Sequence, residues 1–180
     1  AIRVNPRLLL GANLSLKSSV SGFGLLAAAM LLLAGCVSEP NSNGSQLGDG
    51  LEQALVSRVI DGDTVELEDG RVVRYLGIDT PETVHPEKPI ECYGPESTER
   101  NRELVEGKVV DLQSDVIDKD SYGRLLRYVF EGGTFVNGVL VWEGYAYAKS
   151  YGEELRLYQT LVQLQRSSEE LGAGLWSRCP

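Results

Sequence analysis

Positive charge is scarce in this 180-residue chain: 17 lysines and arginines stand against 26 aspartates and glutamates, for a net charge of −9. A broad basic face that neutralises a nucleic-acid backbone is therefore excluded as the main source of any affinity for nucleic acid. A bound divalent cation and two well-placed arginines can still supply positive charge locally. No internal repeat or coiled-coil register is present. The longest apolar run, Val20 to Ala34, is too short for a comfortable membrane span. There is one histidine, His85, and it sits in a proline-rich loop, where it reads as a loop residue rather than a metal ligand or catalytic acid. The 42% hydrophobic and 24% charged fractions are those of a globular protein, and the length suits one domain with a tail.

The first fifty residues read as an address. Arg3, Arg7 and Lys17 are the only charged residues before Glu39, and the apolar run that follows them has signal-peptide length. It ends in Leu33-Ala34-Gly35-Cys36, which resembles a bacterial lipobox, in which the cysteine is acylated and becomes the new N-terminus. A plain secretory peptide is the alternative. Residues 38–50, SEPNSNGSQLGDG, form a flexible tether by composition. The expected organisation is a signal peptide over 1–35, a tether over 36–50 and one folded domain over 51–180. The domain is then exported and lipid-anchored to the bacterial cell envelope, on a periplasmic or extracellular face, as a monomer. Removing residues 1–35 takes away three of the 17 basic residues and none of the 26 acidic ones, so the net charge moves from −9 to −12. Export also places Cys92 and Cys179 where disulfides persist, and with Cys36 lipidated they form an even pair. A Cys92–Cys179 bridge is expected; two separate buried thiols are the alternative.

Within the domain, Ala54–Ile60, Thr64–Leu67 and Arg71–Ile78 carry the β-branched and alternating pattern of strands, separated by Asp61-Gly62-Asp63 and by the hairpin signal Glu68-Asp69-Gly70. A helix is expected over about Glu96–Glu106, behind Gly94-Pro95, with acidic residues at its start and basic ones later. Two further strands follow at Lys108–Val116 and Arg124–Phe130. Val136–Glu143 is a short helical candidate. Glu153–Leu171 places Leu155, Leu157, Tyr158, Leu161, Val162 and Leu164 on one broad apolar face at helical spacing. Strands first and helices late predict an α+β domain whose sheet curls into a small barrel.

The chemistry concentrates in two acidic clusters. Asp61-Gly62-Asp63-Thr64 alone is a common turn sequence. Asp79-Thr80-Pro81-Glu82 adds two carboxylates at the end of a strand, and hard divalent cations such as calcium want several oxygen ligands around one point. Cleavage of a phosphodiester further needs cationic groups on the non-bridging oxygens, a task suited to the fork of arginine. Arg74 lies five residues before Asp79. An odd separation in one extended strand puts the two on opposite faces, so a bulge or a turn at the strand end must intervene if they act together. Arg124, in Tyr122-Gly123-Arg124, reads by itself as half of a surface salt bridge.

Taken in order, Val59-Ile60-Asp61-Gly62-Asp63-Thr64-Val65, Arg74, Asp79-Thr80-Pro81-Glu82, His85-Pro86, Tyr93-Gly94-Pro95-Glu96, Tyr122-Gly123-Arg124 and Leu175-Trp176-Ser177 resemble the staphylococcal-nuclease-like, or thermonuclease, family. The resemblance runs from about Leu55 to Trp176. It implies a five-stranded oligonucleotide-binding (OB-fold) β-barrel with three helices, and a Ca2+-dependent nuclease acting on DNA or RNA and leaving 3′-phosphates. It further implies Asp63, Asp79 and the Thr80 carbonyl as calcium ligands, with Asp61 supporting them through water. Arg74 and Arg124 match the arginines on the scissile phosphate, Glu82 the general base and Tyr122 a nucleotide contact. Three features depart from the pattern. A family lysine before Tyr-Gly-Arg is Ser121 here, Glu87 adds an acid to a loop often rich in lysine, and the second stacking tyrosine has no clean match, leaving Tyr147 and Tyr151 as candidates. The alternative reading is an inactive binding module of the same fold at the cell envelope. Such modules typically lose the carboxylates and arginines that are all present here.

Overall fold

The structure, a computed structural model, describes residues 51–83, 89–152 and 154–179. The expected signal peptide, the tether with Cys36, and the loop residues His85 and Glu87 lie outside the described residues. Among the described residues no helix is long and apolar enough to cross a membrane.

Among the described residues, eight strands and four helices follow one another as β1 (Leu51–Asp61), β2 (Thr64–Leu67), β3 (Val72–Tyr75), β4 (Ile78–Asp79), α1 (Gly94–Val105), β5 (Val109–Gln113), β6 (Leu125–Glu131), β7 (Thr134–Phe135), α2 (Val136–Trp142), β8 (Tyr147–Ala148), α3 (Tyr158–Leu171) and α4 (Leu175–Arg178). The main sheet has the order β3-β2-β1-β5-β6-β7, and a parallel β3–β6 pairing closes it into a barrel of five main strands. The long β1 serves two neighbours. Its first half pairs with β5, its second half with β2, and irregularities between Val56 and Arg58 and between Val59 and Asp61 bend it around the corner. This is the OB-fold barrel in an α+β domain, with three helices of two turns or more and the single turn α4.

Alternation in the strands puts Val56, Val65, Leu67, Val73, Tyr75 and Leu112 inside, where they meet Val105 of α1, Leu140 of α2 and Leu161 of α3. Full burial of each such side chain contributes roughly 1.5–3 kcal/mol. Asn137, itself buried, accepts from the Val129 N–H at 2.9 Å and donates to the Leu76 carbonyl at 2.8 Å. It thereby ties β6 to the turn that follows β3.

Two expected elements are corrected. The single strand over Arg71–Ile78 is broken at Leu76-Gly77, where Gly77 adopts φ 75°, a left-handed conformation that costs a side-chain-bearing residue about 1–2 kcal/mol. Beyond it β4 leaves the barrel and pairs with β8, Ile78 against Ala148 and Asp79 against Tyr147. The last long helix begins at Tyr158 rather than Glu153. Its predicted first turn is drawn off by tertiary partners: Leu155 packs with Leu76 and Tyr128, and the Arg156 N–H donates to Asp115 Oδ2 at 2.8 Å. The Tyr128 hydroxyl also donates to Asp115 at 2.8 Å. Burial raises the Asp115 carboxyl, but the Arg156 N–H, the Tyr128 hydroxyl and the Arg156 charge outweigh it and hold the group below its ordinary value of 3.8.

Cys92 and Cys179 are joined by a disulfide with Cα atoms 5.8 Å apart, linking positions 87 residues distant in sequence. It ties the segment before α1 to the end of α4.

Candidate active site

Asp61 ends β1, and its Oδ1 accepts the Asp63 N–H at 3.0 Å, the local hydrogen bond that makes Asp-Gly-Asp a tight turn. From below, buried Asn101 of α1 donates to the Asp61 carbonyl at 3.0 Å and accepts the Tyr75 hydroxyl at 2.9 Å. The turn is thus fixed to helix and barrel at once. Burial raises the Asp61 carboxyl above its ordinary value, opposed by the Thr64 hydroxyl and by the charges of Arg74 and Arg124. The charge of Glu82 adds to the rise, so these side chains share one electrostatic environment.

Asp63 is 3% exposed. It forms an ion pair with Arg74, and its Oδ2 accepts the Thr80 N–H at 2.8 Å and the Thr80 hydroxyl at 3.0 Å. Arg74 stands opposite Thr64 in the β2–β3 ladder, which brings its guanidinium beside the Asp63 side of the site. The same guanidinium reaches Asp79 Oδ1 at 2.7 Å. The turn at Gly77 makes this possible, and it answers the odd spacing: the strand end turns, and Arg74 and Asp79 converge.

Arg124 and Tyr122 are held by a tight loop on Asp120, whose Oδ1 accepts the N–H groups of both at 2.9 and 3.0 Å and whose Oδ2 pairs with the Arg124 guanidinium at 2.6 Å. The salt bridge expected of an isolated Arg124 therefore exists. Arg124 and the Tyr122 ring, 5.5 Å from its centroid, nevertheless line the same cleft as Arg74 and Glu82. Tyr122 is 84% exposed, open to a partner. Glu82 lines the cleft as well, its Oε1 accepting the Thr83 N–H at 2.9 Å. One cleft of about 690 Å³ thus gathers Asp61, Asp63, Arg74, Asp79, Thr80, Glu82, Tyr122 and Arg124.

The two tyrosines that sequence left as candidates are placed differently. Tyr151 lines the cleft, 65% exposed, with its hydroxyl 3.3 Å from Asp79 Oδ1, whereas Tyr147 packs edge-on against Trp176. Two cleft residues escaped sequence reasoning. Lys149 pairs with Asp79 Oδ2 at 2.7 Å, and Glu91 accepts the Glu82 N–H at 3.0 Å. Neither belongs to a motif; Lys149 is placed by the β4–β8 pairing, and Glu91 by the turn before α1.

Residues 72–178 match the family model described as staphylococcal nuclease homologue. The chain belongs to the staphylococcal nuclease family. It is 34% identical to the thermonuclease of Staphylococcus hyicus over 170 residues, covering 90% of this chain and 99% of that protein. Over 130 residues it is 38% identical to the thermonuclease of Staphylococcus intermedius, covering 71% of this chain and 77% of that one. It is also 35% identical over 133 residues to the SPbeta prophage-derived endonuclease YokF of Bacillus subtilis, covering 71% of this chain and 45% of that protein. In this staphylococcal nuclease homologue that cleft is the active-site candidate.

The donor set fits a hard divalent cation. Asp63 and Asp79 are drawn to one point by Arg74, the Thr80 backbone lies against Asp63, and all available ligand atoms are oxygen. Among the described residues no group of three acidic, histidine or cysteine side chains is preassembled for a metal. Two carboxylates, a carbonyl and water would complete such a site.

Proposed function

We propose that this nuclease domain hydrolyses phosphodiester bonds of DNA or RNA with a bound calcium ion, as an exported protein tethered through Cys36. The convergence of Arg74 on Asp63 and Asp79 carries the reading, because it sets anionic ligands and a phosphate-binding cation within one ion-pair network.

Asp63, Asp79 and the Thr80 carbonyl would hold the ion, and Asp61 orients the turn that carries Asp63. When bound, the ion offsets the repulsion between an anionic nucleophile and an anionic diester. Arg74 and Arg124 approach the phosphate from two elements and stabilise charge on its non-bridging oxygens as phosphorus becomes five-coordinate. Glu82 takes the proton of the attacking water. Tyr122 and Tyr151, both exposed at the cleft, offer rings to bases or sugars. Scission on the 5′-oxygen side leaves a 3′-phosphate. Lys149 supplies a cation beside Asp79 that no motif announced, and Lys119, also lining the cleft, stands two residues from Ser121, where the family has lysine.

The composition of residues 1–50 supports export with acylation of Cys36, and the strongly acidic remainder supports an ion and two arginines as the local source of positive charge. The domain acts as a monomer. Incubating the protein with single-stranded DNA and calcium, or with a chelator, tests the reading. Chelator should abolish cleavage, and Glu82→Gln should slow it by about 10²–10⁴-fold. Chelator-insensitive cleavage, or a Glu82→Gln rate equal to wild type, would overturn it. For the anchor, Cys36→Ala should block removal of residues 1–35 and leave the chain without an acyl group; processing and membrane association both unchanged would count against acylation.

A further inference from the structure

Glu82 is held by its main chain, and the holder is Glu91. The Glu91 carboxylate accepts the Glu82 N–H at 3.0 Å, while the Glu91 N–H donates to the Glu82 carbonyl at 2.9 Å. Two reciprocal bonds clasp one residue to the other. The clasp rests on α1: the Gly94 N–H donates to the Glu91 carbonyl at 3.1 Å. A Cβ at Gly94 would lie 3.0 Å from the Glu82 carbonyl oxygen and 2.6 Å from the Thr83 side chain, so helix and loop base touch closely through a residue without a side chain.

The next residue after Glu91 is Cys92, bonded to Cys179. Cys179 follows α4 and donates its N–H to the Leu175 carbonyl at 2.9 Å, and Leu175 in turn donates to Gly144 at 2.9 Å. Trp176 packs edge-on against Tyr147, the β8 partner of Asp79. One covalent link therefore joins the clasp on the base to the elements that carry Asp79.

We propose that Glu91 is a positioning residue for hydrolysis, and that the Cys92–Cys179 disulfide fixes Glu91, so that full turnover requires the oxidised chain. This rests on the nuclease reading with Glu82 as base. Reduction by a dithiol such as dithiothreitol delivers two electrons and two protons, gives two thiols, and turns the reagent into its cyclic disulfide. The substrate-binding arginines are anchored elsewhere, on β3 and on the Asp120 loop, so the effect falls on kcat and spares KM.

The test is steady-state cleavage of a single-stranded DNA oligonucleotide at saturating calcium, with circular dichroism confirming that each variant is folded at the assay temperature. Glu91→Ala should lower kcat by about 10- to 100-fold, the range of a hydrogen bond to a charged group, with KM within about twofold. Glu91→Gln keeps an acceptor for the Glu82 N–H and should recover most of the loss. Dithiothreitol-treated wild type and Cys92→Ser/Cys179→Ser should show the same kcat defect, and reduction should add little to Glu91→Ala, because both act through one clasp. If the double serine variant does not fold, dithiothreitol-treated wild type, shown by circular dichroism to be folded, decides the part played by the disulfide. Unchanged kcat in folded Glu91→Ala, Glu91→Gln as impaired as Glu91→Ala, or unchanged kcat in folded, reduced wild type would overturn the inference alone. A wild-type chain that cleaves nothing would overturn the nuclease reading beneath it.

Discussion

Arg74 Nη2 lies 2.7 Å from Asp79 Oδ1, although the four residues between them read as one extended strand. The pair exists because Gly77 turns the chain between them and hands Asp79 to β8. The same guanidinium pairs with Asp63, so one arginine organises both carboxylates that the cation would share.

Arg74→Ala should therefore destabilise the cation-free protein. Asp63 is almost fully buried, and removing its ion-pair partner leaves a buried charge relieved, among the described residues, by Thr80 and Thr64 hydrogen bonds. The expected loss is about 3–5 kcal/mol. Saturating calcium should restore a larger share of stability in the variant than it adds to wild type, since the ion then neutralises what the guanidinium no longer does. Urea unfolding with and without calcium measures both. A loss below about 1 kcal/mol would mean the pair is not structurally important.

Gly77→Ala should cost stability and activity together. The residue sits at φ 75°, and an added Cβ would lie 2.6 Å from the Leu161 Cδ1 of α3. Backbone strain and crowding together should remove about 2–4 kcal/mol. Because the turn aims Asp79, calcium affinity should fall as well, which calorimetry on the folded variant would show. Retained affinity in a destabilised variant would separate the turn from the site.

Asp115→Asn isolates a stability contribution from a residue that is not itself in the candidate site. The Asp115 side chain is 2% exposed and bonds Tyr128 and Arg156. Its folded-state value is held below 3.8, so its contribution is fully present above about pH 4 and disappears as pH falls through the lowered value. The variant should be about 1–3 kcal/mol less stable at pH 7. The gap should be constant down to about pH 5 and close in stronger acid. Unfolding curves across that range test the sign; a gap that widened in acid would contradict it.

The barrel is legible in the sequence because its strands are half-buried and alternate, and Asp63, Asp79, Glu82 and the arginines stand out as candidates because they lie in ordered motifs. The pairing of Arg74 with Asp79 is not legible, since spacing within an extended strand separates them and only the Gly77 turn unites them. Lys149 and Glu91 were illegible for a related reason: both act through partners 70 and nine residues away, with no local pattern to mark them. Helix α3 starts later than the helical stripe of Leu155 and Leu157 suggests, because the Asp115 network holds that stretch in another conformation. The closure of the barrel by β3 and β6 is parallel and long-range, and nothing local encodes it.

The most direct measurement is calorimetric titration of the purified protein with calcium, repeated on Asp79→Ala. One binding event is expected in the wild type, with affinity lower by at least about 100-fold in Asp79→Ala, because the ion loses one of two carboxylate ligands. A wild-type chain that takes up no calcium, or an Asp79→Ala variant that binds it as tightly as wild type, would contradict a cation held between Asp63 and Asp79.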